Sequence, residues 1–598
     1  MSPGTARRNA RRLVLCALLA SLCACKPAPV ATGADAADIV YTDGGVYTVD
    51  PVHPWAQALA VKGNTIVFVG SNAEARAYVG AGTRQVSLKG HMLLPGFIDS
   101  HVHPLGAGLF ADACMLEPEW SRERVLEEIG KFARAHADRG LILGVGFRAL
   151  AFGPQGPTAA ELDRLIPDRP AVFLDEGAHS AWINSRILQD LHLDRNTPDA
   201  APGASYFQRD ASGRPTGWLL EAQTFQPVIA HYQSYATEHF AEKSADLFRL
   251  FSHHGVTTVF EAGMFGLEDW GFATLEAMHQ AGTLPFRVMG SYIVTGPAQI
   301  PTAVARLQAL HQRYDSDFVR AGTLKIQGDG TIEARTAALT GDYTDTPGRA
   351  GALFFTQEQL DALVTQADAA GFAVHIHAIG NRMSHAALDA FAAARKANGV
   401  HGPTHAMAHA QLLSDADLER FASLNVVLQT TPQWFHDSPE TRAAIGAERY
   451  ERLSYRVHAA QAQGAHLAFG SDYPATGTDI LTALGVLTGM EMGITRRAPT
   501  ETPAVPALPT PGEALRLEDM IRGYTADGAY QLGMSARLGS LEKGKLADLV
   551  VLDHNLFEVP VPEIHEVKVL ETVLDGKPVF ERGLRAWLTE LYLRYLDE

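Results

Sequence analysis

Positions 38–95 alternate short β-rich runs with turns: Ile39-Val40-Tyr41, Val46-Tyr47-Thr48-Val49, Ala58-Leu59-Ala60-Val61 and Thr65-Ile66-Val67-Phe68-Val69, punctuated by Asp43-Gly44-Gly45 and Gly63-Asn64. Glycine beside Asp or Asn supplies the positive φ that tight hairpin turns need. The same texture returns in Asp548-Leu549-Val550-Val551-Leu552 and Glu571-Thr572-Val573-Leu574. Two strand-rich ends predict a small β-sandwich assembled from both termini, 38–95 forming one part and 531–582 the other. The remaining 583–598 reads as a helix. In the middle, 96–530, continuous apolar runs alternate with helical stretches, as buried parallel strands with crossover helices do. Strands are expected at 97–103, 256–262, 287–294, 323–327, 373–377, 406–409, 426–430 and 468–472. Eight such units predict an α/β fold, a (β/α)8 barrel whose chemistry sits at the C-terminal strand ends. From 325 to 472 the strands recur every ~37 residues, normal for a barrel. From 103 to 325 the interval is far too long for three units, so a large insertion is expected after the first strand, about 104–250. It carries strands of its own near 141–147 and 171–174, and would overhang the active-site face. The Pro/Thr-rich run 498–512 reads as a loop.

The first 25 residues differ from the rest. Arg7, Arg8, Arg11 and Arg12 precede an apolar stretch, 13–24, that is too short for a bilayer span of ~20 residues but suits a signal peptide. Leu22-Cys23-Ala24-Cys25 resembles a bacterial lipobox, which implies export and a lipid anchor at Cys25 on the periplasmic side; plain secretory cleavage nearby is the alternative. A linker, 26–37, follows. With Cys16, Cys23 and Cys25 used in this way, only Cys114 remains, so no internal disulfide is expected.

The chain has 598 residues, 46% of them hydrophobic and 20% charged, an ordinary globular balance. Its formal net charge of −17 argues against a nucleic-acid partner and leaves a small molecule as the expected ligand. Association into a homo-oligomer stays open.

The informative segment is Pro95-Gly96-Phe97-Ile98-Asp99-Ser100-His101-Val102-His103. Period-two alternation puts both imidazoles of a strand-ending His-x-His on one side, a grip for a divalent metal. The other strand ends supply matching groups: Lys325 on the fourth, His375 or His377 on the fifth, His409 on the sixth and Asp472 on the eighth. Arg335 and Arg382 are candidates for binding a substrate carboxylate or for scaffold salt bridges, and Trp434 for walling the pocket or packing in the core.

This pattern resembles the amidohydrolase superfamily, in its amidohydrolase-3 or YtcJ-like branch. Besides the His-x-His, the resemblance rests on Leu324-Lys325-Ile326-Gln327-Gly328-Asp329-Gly330, His377-Ala378-Ile379-Gly380, Ala408-His409-Ala410-Gln411, Gly470-Ser471-Asp472-Tyr473-Pro474 and 539–548. It implies that His101, His103 and Asp472 hold one zinc ion, that His377 and His409 hold a second, and that Lys325 bridges them as a carbamate formed with CO2. His377 is preferred over His375 because Ala-Ile-Gly follows it. A single metal beside an unmodified Lys325 is the alternative. The resemblance also places His179 and Glu221 near the substrate, and Asp472 as the proton-transfer residue. Asn381 and Met407-Ala408 depart from the family pattern. The activity implied is hydrolysis of a non-peptide C–N bond in an amide, formamide or cyclic amide; deamination, ester or lactone cleavage on the same centre, and non-catalytic ligand binding, are the competing readings.

Overall fold

The computed structural model describes residues 36–583 apart from positions 154, 401, 478, 502–506 and 509–510. The expected leader 1–25, most of the expected linker 26–37, the expected C-terminal helix 583–598 apart from its first residue, and part of the expected 498–512 loop therefore lie outside the described residues. Among the described residues, no helix is long and apolar enough to cross a membrane.

Eight parallel strands form one sheet in chain order: β1 Phe97–Val102, β2 Val256–Glu261, β3 Arg287–Val294, β4 Val319–Gln327, β5 Ala373–Ala378, β6 His405–His409, β7 Val426–Thr430 and β8 Leu467–Phe469. They are the eight expected strands, curled into a (β/α)8 barrel. Helices pack outside them through their apolar stripes. Asn381–Asn398, for example, buries Met383, Ala387, Leu388, Phe391 and Ala394 and stops at Gly399, whose φ of +93° suits a residue without Cβ. Gln357–Ala369 begins with a capping box in which the Thr356 side chain accepts from Gln359 N.

The interval after β1 holds a separate six-stranded sheet. Cys114–Met115, Ile142–Phe147 and Ala171–Asp175 run parallel, and Ser180–Ile183, Pro215–Leu220 and Tyr206–Arg209 extend it antiparallel. Helix Ala245–His253 then returns the chain to the barrel and buries Phe248 and Phe251 in the barrel core. That helix begins within the expected 104–250 insertion, runs past its end, and packs as the outer helix before β2.

Both ends of the chain build the remaining layers. Met92–Pro95 pairs antiparallel with Leu549–Leu552, and the six-stranded sheet so formed shares a core (Val46, Leu93, Leu549, Val551, Val573) with a four-stranded N-terminal sheet that supplies Ile39, Tyr41, Leu59 and Val61. One buried cation ties this sandwich to the barrel. Arg287, at the start of β3, donates from Nε to Asp548 Oδ2 at 2.8 Å and from Nη2 to Asp575 Oδ1 at 2.8 Å, with its guanidinium over the Phe318 ring. Asp548 belongs to the 539–548 segment noted in the sequence, and this pairing accounts for its presence.

Removing one partner of a buried ion pair typically costs about 3–5 kcal/mol, because the other charge is left unpaired. Arg287→Met is therefore expected to lower the urea midpoint of unfolding sharply, and Arg287→Met/Asp548→Leu to recover part of the loss. Equal midpoints for the wild type and the single variant would show that the pair does not hold the two parts together.

Candidate metal centre

The barrel closes between β1 and β8 by a few backbone bonds made just past the end of β8. Asp472 N donates to His101 O at 2.7 Å, and His103 N donates to Tyr473 O at 3.0 Å. A Cβ on Gly470 would lie 2.4 Å from His101 N, so only glycine lets the strands approach this closely. The Asp99 carboxylate fills the gap in the ladder: its Oδ1 accepts from Ser471 N at 2.9 Å and from His101 N at 3.3 Å. Burial raises the pKa of Asp99 to about 7 against the pull of those bonds.

This seam inserts Asp472 among the histidines. Its Oδ1 lies 3.5 Å from His101 Nε2 and 3.4 Å from His103 Nε2, and its Oδ2 lies 3.7 Å from His409 Nδ1. Asp472 and His409 both hold left-handed backbone, with φ of +53° and +67°. Non-glycine residues adopt that conformation at a cost, and they do so most often at functional sites.

Side-chain hydrogen bonds orient the imidazoles. His103 Nδ1 donates to Gly263 O at 3.2 Å, which leaves Nε2 facing Asp472. His101 Nδ1 lies 3.0 Å from Gln429 Oε1 and 3.0 Å from His375 Nε2, so its Nε2 faces Asp472 and the Lys325 amine, the latter at 3.4 Å. His375 thus stands behind His101, in register with Lys325, whereas His377 is one step nearer the strand end, in register with Gln327. The His377 ring is 4.5 Å from that of His409 and 5.3 Å from that of His179, and its Nε2 is 3.4 Å from Gly330 O.

The donor set fits a divalent metal. Among the described residues, His101, His409 and Asp472 present ligand atoms within 4.8 Å of one another. His409 Nδ1 is buried without a hydrogen-bond partner, and a cation would satisfy it. Burial, reinforced by neighbouring cationic groups, pushes the pKa of His101, His377 and His409 well below the ordinary value, so these imidazoles are neutral and free to coordinate. Burial also opposes charge on His103, but Asp472 and Glu261 outweigh it and raise its pKa to about 9; a dication would displace that proton. Lys325 is buried and lowered to about 7 by desolvation.

The insertion delivers two more groups. His179 Nδ1 lies 2.7 Å from Glu221 Oε2, and fully buried Glu221 also accepts from Thr336 Oγ1 at 2.6 Å and Gln327 Nε2 at 3.3 Å. Trp434, after β7, stands 5.7 Å from the His409 ring. His179 and Trp434 line a cavity of about 1050 Å³ together with His101, His103, His377, His409 and Asp472, and Glu221 lies behind His179. Arg335 also borders the cavity, but its guanidinium is committed to Asp345 and to the carbonyls of Ile332 and Glu333. Arg382 does not join the lining among the described residues and donates to Gly351 O at 3.1 Å. Arg335 thus makes an ion pair with Asp345, whereas Arg382 makes a hydrogen bond to a backbone carbonyl. Asn381 ties the loop after β4 by accepting from Thr340 N at 3.1 Å. Asp99 and Gln429 also belong to the site, by hydrogen bonds to His101. Their signal was a polar residue inside an otherwise apolar strand, in Phe-Ile-Asp and Val-Val-Leu-Gln.

Residues 84–580 match the amidohydrolase family model. The chain is 33% identical over 423 residues to the exoenzymes regulatory protein AepA of Pectobacterium carotovorum, covering 69% of this chain and 90% of that one. It is 27% identical over 559 residues to the N-substituted formamide deformylase of Arthrobacter pascens, covering 91% and 98%. A solved structure of an uncharacterized metal-dependent hydrolase from Pyrococcus furiosus shares the fold, with a TM-score of 0.65, 24% identity and coverage of 86% of this chain and 99% of that one. The chain therefore belongs to the amidohydrolase family and is a hydrolase.

Proposed function

We propose that the protein hydrolyses the C–N bond of an N-substituted formamide or a related carboxamide, at a centre of two divalent ions, zinc by preference. The observation that carries this reading is the placing of Asp472 between His101 and His103 on one side and His409 on the other, each within 3.7 Å. The full-length similarity to a formamide deformylase supports the choice of bond. His101, His103 and Asp472 would hold one ion, and His377 and His409 the other. Metal bound there supplies Lewis acidity, which polarises a carbonyl and acidifies water.

The chain's own residues do the rest. Asp472 takes the proton of the attacking water and passes it to the leaving nitrogen. Gln429 and Gly263 O hold the rings of His101 and His103 in the tautomer that leaves Nε2 free. His179, fixed by Glu221, presents its other nitrogen to the cavity as a donor for the substrate. Trp434 screens the His409 side from solvent.

Lys325, as a carbamate, would be a further anionic ligand for the ions in this reading. A lysine with its pKa near 7 is largely neutral at slightly alkaline pH, and only the neutral amine attacks CO2. The Nζ–C bond forms, an amine proton leaves to solvent, and the product is an anion that suits a site between dications. We also propose that the leader directs the protein to the periplasmic side as a lipoprotein.

Asp472→Asn is expected to lower kcat by at least ~10²–10⁴-fold on an N-formyl or N-acyl substrate; a metal-replete variant with near-wild-type kcat sinks the proton-transfer role. Metal analysis of the purified protein should find about two equivalents per chain, falling to about one in His377→Ala. One equivalent in the wild type would favour the single-ion arrangement with unmodified lysine. Labelled bicarbonate should give a carbamate carbon signal in the wild type that Lys325→Met lacks.

A further inference from the structure

Among the described residues that border the cavity, two buried polar side-chain atoms have no hydrogen-bond partner: His409 Nδ1 and Gln327 Oε1. A cation accounts for the first. The second is a carbonyl oxygen that calls for a donor. Gln327 ends β4 and is 5% exposed. It stands two residues after Lys325, so period-two alternation puts both side chains on the inner face, and it lies in register with His377 on β5. What meets Gln327 is therefore the part of a substrate held beside the candidate ligands, whichever way its substituents run. Its amide has one sensible orientation. Nε2 donates to Glu221 Oε2 at 3.3 Å, and Glu221 also takes His179 Nδ1 at 2.7 Å and Thr336 Oγ1 at 2.6 Å, so the carboxylate serves as acceptor throughout. The opposite flip would set Oε1 against a carboxylate oxygen. Gly330 leaves room for this hub: a Cβ there would lie 2.1 Å from Thr336 Oγ1 and 2.3 Å from Glu221 Oε1. With Nε2 committed, Oε1 is the polar atom of Gln327 left to the cavity, and a buried acceptor without a donor costs free energy that a ligand's donor recovers.

We infer that Gln327 is a specificity residue whose Oε1 accepts the N–H of the scissile amide, so that the site selects amides carrying N–H over N,N-disubstituted amides and esters. The inference rests on the C–N hydrolase reading and narrows its substrate class. The reacting group of such a substrate has one kind of donor, the hydrogen on its nitrogen. An ester oxygen or a fully substituted nitrogen has none and leaves Oε1 buried and unpaired, which is how a polar site rejects an analogue. His179 and Gln327 share the Glu221 carboxylate. One buried anion thus orients a donor and an acceptor together, His179 for a substrate oxygen and Gln327 for a substrate N–H.

The test compares N-butylformamide, N-butyl-N-methylformamide and butyl formate on the full-length metal-loaded protein, with melting midpoint and metal content recorded for every variant. The wild type should favour N-butylformamide over its N-methyl analogue in kcat/KM by about 5- to 150-fold, the range for leaving a buried acceptor unpaired. Gln327→Met, and the milder Gln327→Asn, should lose most of that preference, because the loss falls on the N–H substrate. Thr336→Val removes a donor from Glu221 but leaves Oε1 in place; it should slow all three substrates alike and keep the preference, which separates reading of the N–H from a general loosening of the site. A wild type indifferent to N-methylation overturns the inference, whether or not the variants fold, and leaves the hydrolase reading intact. So does a folded Gln327 variant that keeps the full preference. Loss of bound metal in a folded Gln327→Met overturns it as well, by making Oε1 a metal ligand. Failure of the wild type to cleave either amide or the corresponding acetamides, with metal verified in the sample, overturns the hydrolase reading and the inference with it.

Discussion

Everything at the centre depends on how β1 meets β8. Two strands that begin and end the barrel, separated by most of the chain, approach at Gly470 more closely than any side chain would allow. The bonds from Asp472 N to His101 O and from His103 N to Tyr473 O are backbone bonds, so the backbone of the seam itself carries three of the candidate ligands. Their spacing is set by strand pairing, which is stiffer than any side-chain contact. A buried carboxylate, Asp99, caps the seam where regular pairing stops, and its own raised pKa shows what that position costs. The strained backbone at Asp472 and His409 lies in the same place. Strain and desolvation are thus concentrated where a cation would offset them.

Much of this was legible in the residue pattern because barrel strands are buried on both faces and read as apolar runs, with polar residues conspicuous at their ends. The runs located all eight strands, but their ends moved for physical reasons. β4 begins at Val319, ahead of the expected 323, because Arg320 lies in the strand and its guanidinium donates to Leu532 O at 2.7 Å, so a charged residue broke the apolar run without breaking the strand. β8 stops at Phe469 because Gly470-Ser471-Asp472 leaves the ladder to close the seam. Within the insertion only two of six strands were readable. Cys114–Met115 is two residues long, and Pro215–Leu220 carries Gly217 with a φ of +100°, so neither shows a clean alternation.

The site was less legible where function passes through a partner. His-x-His, Lys325, His377, His409 and Asp472 announce themselves through strand position. Asp99 and Gln429 act by hydrogen-bonding a neighbour, and nothing in a single sequence says which neighbour. Arg335 and Arg382 show the converse: both looked available, yet Arg335 pairs with Asp345 and Arg382 donates from Nη2 to Gly351 O, partners whose proximity exists only in the folded chain. Glu221 is intermediate. The resemblance placed it near the substrate, but its left-handed φ of +68° and its three side-chain donors were not readable.

The sandwich sheet has a consequence for biogenesis. Met92–Pro95 pairs with Leu549–Leu552, so an early strand waits for a partner synthesised roughly 450 residues later. The entropy of closing so long a loop grows only with the logarithm of its length, so the finished molecule is little weakened by it. The nascent chain bears the burden instead. Until its last tenth emerges, the edge formed by Met92–Pro95 is a bare template for stray β-pairing, and a chaperone or a rapidly formed barrel must shield it.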